Sequence, residues 1–314
     1  MQLYDAGVVQ AALNWPDLIA AIEQHFAAPV EVPQRQVLTI ANPKGENGVL
    51  LLMPAWLGGD SIGVKAVTFF PGNTAKGIST ISAAYLLFDG ETGAIRAAMD
   101  GDAITVRRTA ATSAAAAKRL ARTDARRLLV IGTGQLSEHM ASAHAAVRVY
   151  ESIEIHGRDP AKASAVAGAL RRSGLAASVA LDLEASVCRA DVISCCTSAS
   201  TPLFPGAWLQ PGCHVDLVGS FKDDMREVDD EAVRRSAIFV DAKPGALLSG
   251  DLAQPLRDGV INEGHILADL ADLVSGRHPG RGNAAMITLF KSVGNAREDL
   301  AAARLIAETR KVPG

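Results

Sequence analysis

The stretch LLVIGTGQLSEHM, Leu128–Met140, decides the fold because an apolar run is followed there by a glycine turn and a helix-forming segment. Its first glycine permits a tight turn, its second lets the backbone approach a pyrophosphate, and the following helix N-terminus supplies free amides. Ser137 stands where the fingerprint has a third glycine or alanine. The stretch predicts a dinucleotide site, with a glycine turn of another α/β fold as the alternative. The candidate cofactor-binding residues are Gly132, Thr133, Gly134 and Gln135.

Strand-like and helix-like segments alternate after this stretch. Apolar runs such as SIEIHG, DVISCCTS and GCHVDLVGS are separated by helical segments such as DPAKASAVAGALRRSG. Alternation of this kind predicts a parallel, doubly wound sheet with helices on both faces, which is the Rossmann-type arrangement.

The segment before the glycine turn has a different pattern. Helical NWPDLIAAIEQHFAA, with Asn14 as its cap, is followed over residues ~35–100 by apolar runs around the turn sequences NPKGENG and DGETG. These runs predict a mainly antiparallel sheet. A helix is predicted for Asp102–Arg122, and ITLFKSVGNAREDLAAARLIAETR is predicted to form one long C-terminal helix.

The predicted fold class is therefore α/β, a Rossmann doubly wound parallel sheet plus a mainly antiparallel α+β domain. Residues 1–115 would form the first domain, joined by a C-terminal helix at ~294–314, and residues 116–293 the second. A chain of 314 residues is long enough for two such cores.

The end of the second strand of the nucleotide unit bears on the choice of cofactor. An NAD site carries an acid there, for the ribose hydroxyl, whereas EIHGRDP has Gly157 and then Arg158. Asp159 stands next to Pro160 and is predicted to cap the next helix. Arg158 is suited to a 2′-phosphate, so NADP(H) is favoured and NAD(H) stays possible. The alternative for Arg158 is an ordinary surface arginine.

Composition excludes several classes of protein. The net charge of −3, with acids and bases mixed along the chain, does not indicate a nucleic-acid or membrane-surface partner. We expect no signal peptide, because MQLYDAGVVQ lacks a basic region followed by an apolar core, and no membrane span, because no apolar run reaches ~18 residues. We expect no metal site, because the four cysteines lack zinc-ligand spacing. Reduced structural cysteines suit a cytoplasmic protein.

Four further stretches carry a resemblance to a known family. LMPAW, GVKAVTFFPGN and ITVRRTAATSAAAAKRLA precede the nucleotide unit in that order, and ITLFKSVGNAREDLAAA stands near the end. Nearly the whole chain thereby resembles the ornithine cyclodeaminase and mu-crystallin family. The resemblance implies a homodimer, with the first domain forming the substrate and dimerisation domain that faces the nicotinamide. It also implies hydride chemistry at the carbon bearing the amine of an amino acid.

The resemblance assigns the substrate carboxylate to three cations, Arg35, Lys65 and Arg108. The residue types agree, because a small anion needs fixed cations and a bidentate arginine adds orientation. Lys65 lies in an apolar run, where burial is unfavourable unless the charge is used or paired. Lys65 and Arg108 are the catalytic candidates, and Arg107 is predicted to be solvated. The alternative for Lys65 is a surface lysine on an edge strand, and the alternative for Arg35 is a salt bridge within a loop.

Five further residues are candidate contacts to the cofactor. Thr197 and Gly219 lie at predicted strand ends, where open α/β sheets bind ligands. Ser292 matches a family contact near the nicotinamide. Thr80 and Thr112 are further candidates, with ordinary structural roles as the alternative for both.

Two positions depart from the cyclodeaminases that the chain resembles. Leu51 stands where those enzymes have a glutamate that contacts substrate, and Phe221 where they have a proposed catalytic aspartate. Ring closure of ornithine needs a group that handles the distal amine and its protons, which neither residue provides. The favoured function is reduction of a cyclic imino acid such as Δ1-pyrroline-2-carboxylate to L-proline. Ornithine cyclodeaminase or a related amino-acid dehydrogenase, and a mu-crystallin-like binding protein regulated by NADPH, remain alternatives. Reductases often carry serine at the Phe221 position, so the exact substrate stays open.

Overall fold

A computed structural model describes residues 1–310, which fall into two compact units. The first unit combines Met1–Arg108 with the chain from Asn295 onward, and the second unit is Thr109–Gly294. The boundary between them lies at Arg108, earlier than the predicted position 115. The predicted helix end, residues 311–314, lies outside the described residues.

The first unit contains a six-stranded sheet in the order β1-β6-β5-β4-β3-β2. Only β1 and β6 pair in parallel, so the sheet is mainly antiparallel, as predicted. The strands are β1 (Gln2–Tyr4), β2 (Gln36–Ile40), β3 (Gly48–Leu57), β4 (Ser61–Phe69), β5 (Ile81–Asp89) and β6 (Ile95–Asp100).

Three helices complete the first unit. They are α1 (Ala6–Ala12), α2 (Trp15–Ala27) and α11 (Ala296–Thr309). The Asn14 side chain accepts a hydrogen bond from the amide of Asp17 and so caps α2, as predicted. Helix α11 packs against β3, β4 and β5, while α2 packs against α11. The Tyr85 hydroxyl fills the space left by the absent side chain of Gly63, where an added Cβ would lie 1.8 Å from that oxygen.

Helix α3 (Gly101–Leu120) follows the sheet and agrees with the predicted helix to within two residues at each end. From the middle of the helix onward, Ala110, Ala111 and Ala114–Ala117 are fully buried. Alanine favours the helical conformation and keeps the helix surface smooth, which explains why so low-complexity a segment lies in the core.

The second unit is built on an eight-stranded parallel sheet, which confirms the predicted fold class. The order is β9-β8-β7-β10-β11-β14-β12-β13. The strands are β7 (Arg127–Ile131), β8 (Ser152–His156), β9 (Ala177–Val179), β10 (Val192–Cys195), β11 (His214–Leu217), β12 (Ala237–Val240), β13 (Ile266–Asp269) and β14 (Thr288–Lys291). Central strands β10, β11 and β14 are buried along their whole length, as expected when helices cover both faces.

Helices connect these strands. They are α4 (Gln135–Val147), α5 (Pro160–Arg172), α6 (Leu183–Arg189), α7 (Asp230–Arg235), α8 (Lys243–Ala246), α9 (Gly250–Arg257) and α10 (Leu270–Val274). The strand order reverses between β7 and β10, and in open α/β sheets ligands bind beyond the carboxyl ends of the strands at such a reversal.

The prediction of one long C-terminal helix from ITLFK onward was wrong. Residues Thr288–Lys291 form β14, between β11 and β12, and α11 begins only at Ala296. The run of β-branched and aromatic residues favours a strand, and Asn295 caps the helix by accepting from the amide of Arg297.

Within residues 1–310, no helix combines the length and the apolar character that a membrane span requires.

Candidate active site

Lys65 lies on β4, on the sheet face covered by α11, and is 2% exposed. Its Nζ donates to Asp299 Oδ1 at 2.9 Å, lies 2.8 Å from Oδ2, and donates to Thr105 Oγ1 at 3.3 Å. Burial lowers the pKa of Lys65, and the anion of Asp299 opposes that effect. The lysine is therefore a buried, paired cation and not a lysine at the surface of an edge strand.

Arg108 joins the same cluster from α3. Its Nε donates to Asp299 Oδ1 at 2.9 Å and its Nη1 donates to Glu298 Oε2 at 2.5 Å. Side-chain exposure is 5% for Arg108 and 0% for both acids. The structure thus brings Lys65 and Arg108 together, 43 positions apart in the sequence.

The two acids of this cluster, Glu298 and Asp299, were not found by the sequence analysis. They stand in the first turn of α11, where acids are common for their effect on the helix dipole, so nothing set them apart. Burial alone would raise the pKa of Asp299, but Arg108 and Lys65 hold it below its usual value. Within residues 1–310, two cations and two carboxylates face one another in this cluster.

The other candidates on the first unit lie at different depths. Leu51 is on β3 and pairs with Val67, so its side chain points to the same sheet face as Lys65. Arg35 is partly buried in the segment directly before β2, and within residues 1–310 its side chain has no ion pair. Thr80 precedes β5, and its carbonyl accepts from the amide of Phe70.

The prediction that Arg107 is solvated was wrong. Its guanidinium carbon lies 3.7 Å from the ring centre of Trp15, and Nη2 donates to the carbonyl of Leu13. Burial lowers the pKa of Arg107 to about 10. Adjacent positions on a helix point about 100° apart, so Arg107 packs on the α1–α2 segment while Arg108 joins the acidic pair.

The glycine turn of the second unit is built around two glycines with different surroundings. Gly132 has φ 138°, and an added Cβ would lie 2.7 Å from Cys196 Sγ, so a side chain is excluded there. Gly134 precedes α4 without a side-chain cap, and nothing lies within 4 Å of its would-be Cβ. Thr133 is partly buried and Gln135, the first residue of α4, is exposed. Open space before uncapped helix amides fits a phosphate.

Ser137 explains the third small position of the pattern. It is fully buried, and its Oγ lies 3.6 Å from Cys196 Sγ, at the end of β10. A larger residue would push α4 away from the strand, so serine meets the same packing need as glycine or alanine.

The end of β8 has no carboxylate available for a ribose. An added Cβ on Gly157 would lie 2.4 Å from Thr133 Cγ2, so the glycine turn leaves no room for a side chain at position 157. Arg158 is exposed. Asp159 accepts from the amides of Ala161 at 2.9 Å and Lys162 at 3.4 Å, which confirms its predicted role as a helix cap.

Two buried acids hold the remaining strand-end candidates. Glu227 accepts from the amide and hydroxyl of Thr197 and from the amide of Gly219. Asp241 accepts from Ser292 Oγ at 3.0 Å and from the backbone amides of Val293 and Gly294. Neither acid was singled out from the sequence, because Glu227 lies 30 positions from Thr197 and Asp241 lies 51 positions from Ser292.

The last candidates lie elsewhere on the second unit. Thr112 is fully buried in α3. Phe221 is 43% exposed in the segment after β11, and Asp223 forms an exposed ion pair with Arg257 at 3.2 Å. Within residues 1–310 no group of three or more potential metal ligands comes together.

Residues 3–312 match the model of the ornithine cyclodeaminase/mu-crystallin family, which confirms the resemblance seen in the sequence. The chain is 36% identical over 313 residues to the Δ1-pyrroline-2-carboxylate reductase of Colwellia psychrerythraea, covering 98% of this chain and 99% of that protein.

Two solved structures are similar to this chain over nearly their whole length. The Δ1-pyrroline-2-carboxylate reductase of Thermococcus litoralis, in complex with NADH and L-proline, has a TM-score of 0.91 at 35% identity, covering 98% of this chain and 97% of that one. An archaeal alanine dehydrogenase dimer with bound NAD has a TM-score of 0.90 at 27% identity, covering 98% and 95%.

Proposed function

Because this chain belongs to the ornithine cyclodeaminase/mu-crystallin family, we propose that it is an NAD(P)H-dependent reductase that converts a cyclic imino acid, Δ1-pyrroline-2-carboxylate, to L-proline. The observation that carries the proposal is the apolar Leu51 on the Lys65 face of the sheet, where a cyclodeaminase would have a glutamate. A ring with no distal amine needs no acid at that position. Full-length similarity to a reductase and to a proline-bound structure supports the same conclusion.

The cations of the first unit would bind the substrate carboxylate. An ammonium has three N–H donors, and among the described residues those of Lys65 are directed at Asp299 and Thr105, which leaves one for a ligand. Lys65 and Arg108 are already balanced by two acids, so the net attraction for an anion would come from Arg35. The lowered pKa of Lys65 makes it a stronger acid than an exposed lysine, suited to protonating the imine nitrogen.

The reaction joins a hydride to the α-carbon and a proton to the ring nitrogen, and it releases the oxidised dinucleotide. The reduced nicotinamide supplies the hydride when it is bound. The glycine turn at Gly132–Gly134 would hold the pyrophosphate against the N-terminus of α4.

NADPH is the proposed preference over NADH. Arg158 is exposed beside the bare Gly157, and the nearby carboxylate of Asp159 is occupied as a helix cap. The preference is tested by the ratio of kcat/KM for the two cofactors, which Arg158→Ala should reduce by about tenfold, the value of one charged contact. Arg172→Ala, an exposed arginine at the far end of α5, is the control. A tenfold preference for NADH in the unmodified protein would refute this assignment.

A homodimer is proposed through the sheet face opposite to Lys65. An apolar row crosses five strands there, consisting of Leu3, Ala98, Leu86, Val64 and Pro54. Leu3 is 75% exposed and Leu86 36%. The other three residues of the row are partly buried. An apolar row that is open to solvent at several positions is typical of an interface, and the archaeal alanine dehydrogenase is a dimer. Leu86→Glu should give a monomer in analytical ultracentrifugation, while Val149→Glu, on another exposed apolar residue, should not.

Ornithine cyclodeaminase remains the second candidate, on family membership. That reaction would need an acid to replace Phe221. The two acids nearest to Phe221 in the sequence, Asp223 and Asp224, are exposed, and Asp223 is paired with Arg257.

Deuterium-labelled NADPH separates the proposed reductase from a binding protein. The label should appear at the α-carbon of L-proline; binding of the cofactor without transfer of the label would refute the enzyme.

A further inference from the structure

The carboxylate of Glu227 joins the ends of two neighbouring strands in the second unit. Its Oε1 accepts from the amide of Thr197 at 2.7 Å and from the Thr197 hydroxyl at 2.9 Å. Its Oε2 accepts from the amide of Gly219 at 2.8 Å. Thr197 follows β10 and Gly219 follows β11, and Glu227 itself is fully buried.

These strand ends lie where a ligand is expected. Strand β10 pairs with β7, which leads into the glycine turn, and β11 pairs with β10. The reversal of strand order falls between β7 and β10, so the carboxyl ends of β10 and β11 border the ligand crevice of an open parallel sheet.

We propose that Glu227 is a positioning residue for the dinucleotide: its carboxylate fixes the carboxyl ends of β10 and β11 so that Thr197 and Gly219 face the cofactor. The proposal rests on the dinucleotide binding of the proposed function. It adds a residue that touches neither cofactor nor substrate and acts through the two segments that it joins.

The segments that follow β10 and β11 are tightly packed against each other and against the Glu227 carboxylate. An added Cβ on Gly219 would lie 1.9 Å from the carbonyl oxygen of Thr197 and 2.4 Å from Glu227 Oε1. The two strand ends are therefore in direct contact, and the carboxylate that binds both sets their separation.

A carboxylate is required because donors face both of its oxygens. Glutamine has one acceptor oxygen and an NH2 group, so it can satisfy Thr197 or Gly219 but presents a donor to the other amide. Glu227→Gln therefore loses one link even though its shape is unchanged. Glu227→Asp keeps both oxygens but is one methylene shorter.

The charged groups around Glu227 come from three elements. Burial raises the pKa of Glu227 to about 7, while Lys291 on β14 opposes that rise and Asp251 on α9 adds to it. Asp251 accepts from the amide of Glu227 at 2.7 Å and from Lys291 Nζ at 3.0 Å. The Cys195 thiol on β10 and the Cys196 thiol directly after it are also titratable neighbours, and burial raises the pKa of both above the ordinary value.

Protonation of Glu227 has the same consequence as the glutamine substitution, because one oxygen becomes a donor. The dinucleotide should therefore bind more tightly as the pH rises through about 7, where the carboxylate ionises. In Glu227→Gln that pH dependence should be absent.

The test is titration of the full-length protein with NADPH and with NADH, followed by nicotinamide fluorescence from pH ~6 to ~8.5. We expect Glu227→Gln to raise the Kd and the cofactor KM about tenfold or more at the higher pH, with kcat changed less than about threefold. Asp216→Asn is the matched control, since Asp216 is a buried carboxylate of β11 that binds Ser194 and His144 and not the strand ends. Glu227→Asp should show the same rise in KM if the glutamine variant folds poorly.

The outcomes separate the two proposals. If the unmodified protein binds neither cofactor, the proposed function fails and this inference with it. If it binds a cofactor and Glu227→Gln binds equally well, or Asp216→Asn is weakened to the same extent, the positioning role is overturned while the proposed function stands.

Discussion

The sharpest perturbation of the cation cluster is a comparison of Arg108→Ala with Arg107→Ala. Arg108 makes two charged hydrogen bonds, at 2.9 Å to Asp299 and 2.5 Å to Glu298, with at most 5% of any of these side chains exposed. Removing one member of such a buried pair costs about 3–5 kcal/mol of stability, because Glu298 and Asp299 stay buried after losing this cation, although Asp299 keeps Lys65.

The catalytic effect of Arg108→Ala is separate. Loss of a charged contact to a substrate carboxylate costs about 2–5 kcal/mol in kcat/KM, which is a decrease of ~30-fold to more than 10³-fold. Arg107 contacts Trp15 and the Leu13 carbonyl. Its removal should therefore lower the melting temperature, by a contribution of about 1–2 kcal/mol, and leave kcat/KM within about threefold.

A compensated variant distinguishes stability from catalysis. Arg108→Ala with Glu298→Gln removes one cation and one anion, so the cluster stays balanced. We expect this pair to recover melting temperature relative to Arg108→Ala alone but not kcat/KM. The assay is imine-dependent NADPH oxidation per folded protein, with the folded fraction taken from circular dichroism. Equal losses of kcat/KM in the Arg107 and Arg108 variants would refute the assignment.

Three further predictions follow from other sites. Gly157→Ala should raise the KM for either cofactor without changing kcat, because its Cβ would lie 2.4 Å from Thr133 Cγ2 and displace the glycine turn. Asp299→Asn should move the alkaline limb of the kcat/KM profile to lower pH, since the Asp299 anion raises the Lys65 pKa and the lysine must be protonated to act; an unmoved limb would exclude Lys65 as the acid. Burial lowers the pKa of His214 from 6.5 to about 3, so the unfolded chain takes up a proton first as pH falls. Stability should then decrease below pH 6.5, by up to ~1.4 kcal/mol per pH unit, and His214→Asn should flatten that slope in pH-dependent melting curves.

Features set by neighbouring residues were predictable from the sequence. Asn14 and Asp159 cap the helices that follow them, as their positions before a helical pattern indicated. Gly132 has a positive φ, as the glycine-turn pattern in the sequence predicted. The parallel sheet followed from alternation of short apolar runs with helical segments.

Features set by residues distant in the sequence were not predictable. Glu298 and Asp299 have an ordinary sequence setting, and the fold gives them their cationic partners, Lys65 from β4 and Arg108 from α3. Glu227 likewise acquires its role from strand ends that the fold brings to it. Arg107 was wrongly predicted as solvated because its partner, Trp15, lies on a helix whose packing the sequence did not reveal.

Strand β14 was missed for a related reason. ITLFK adjoins a strong helical pattern, and an apolar run of this length fits either a buried strand or the start of a helix. Its pairing between β11 and β12, which decides in favour of the strand, is a property of the assembled sheet.

The measurement that tests the central claim most directly compares two reactions of the unmodified protein. With Δ1-pyrroline-2-carboxylate and NADPH, we expect steady oxidation of the cofactor and formation of L-proline. With L-ornithine and NAD, we expect negligible ammonia, because Leu51 and Phe221 are apolar at the two positions where the resemblance to cyclodeaminases implies acids. Robust ornithine-dependent ammonia release without imine reduction would contradict the account and show that another acid of this chain handles the distal amine.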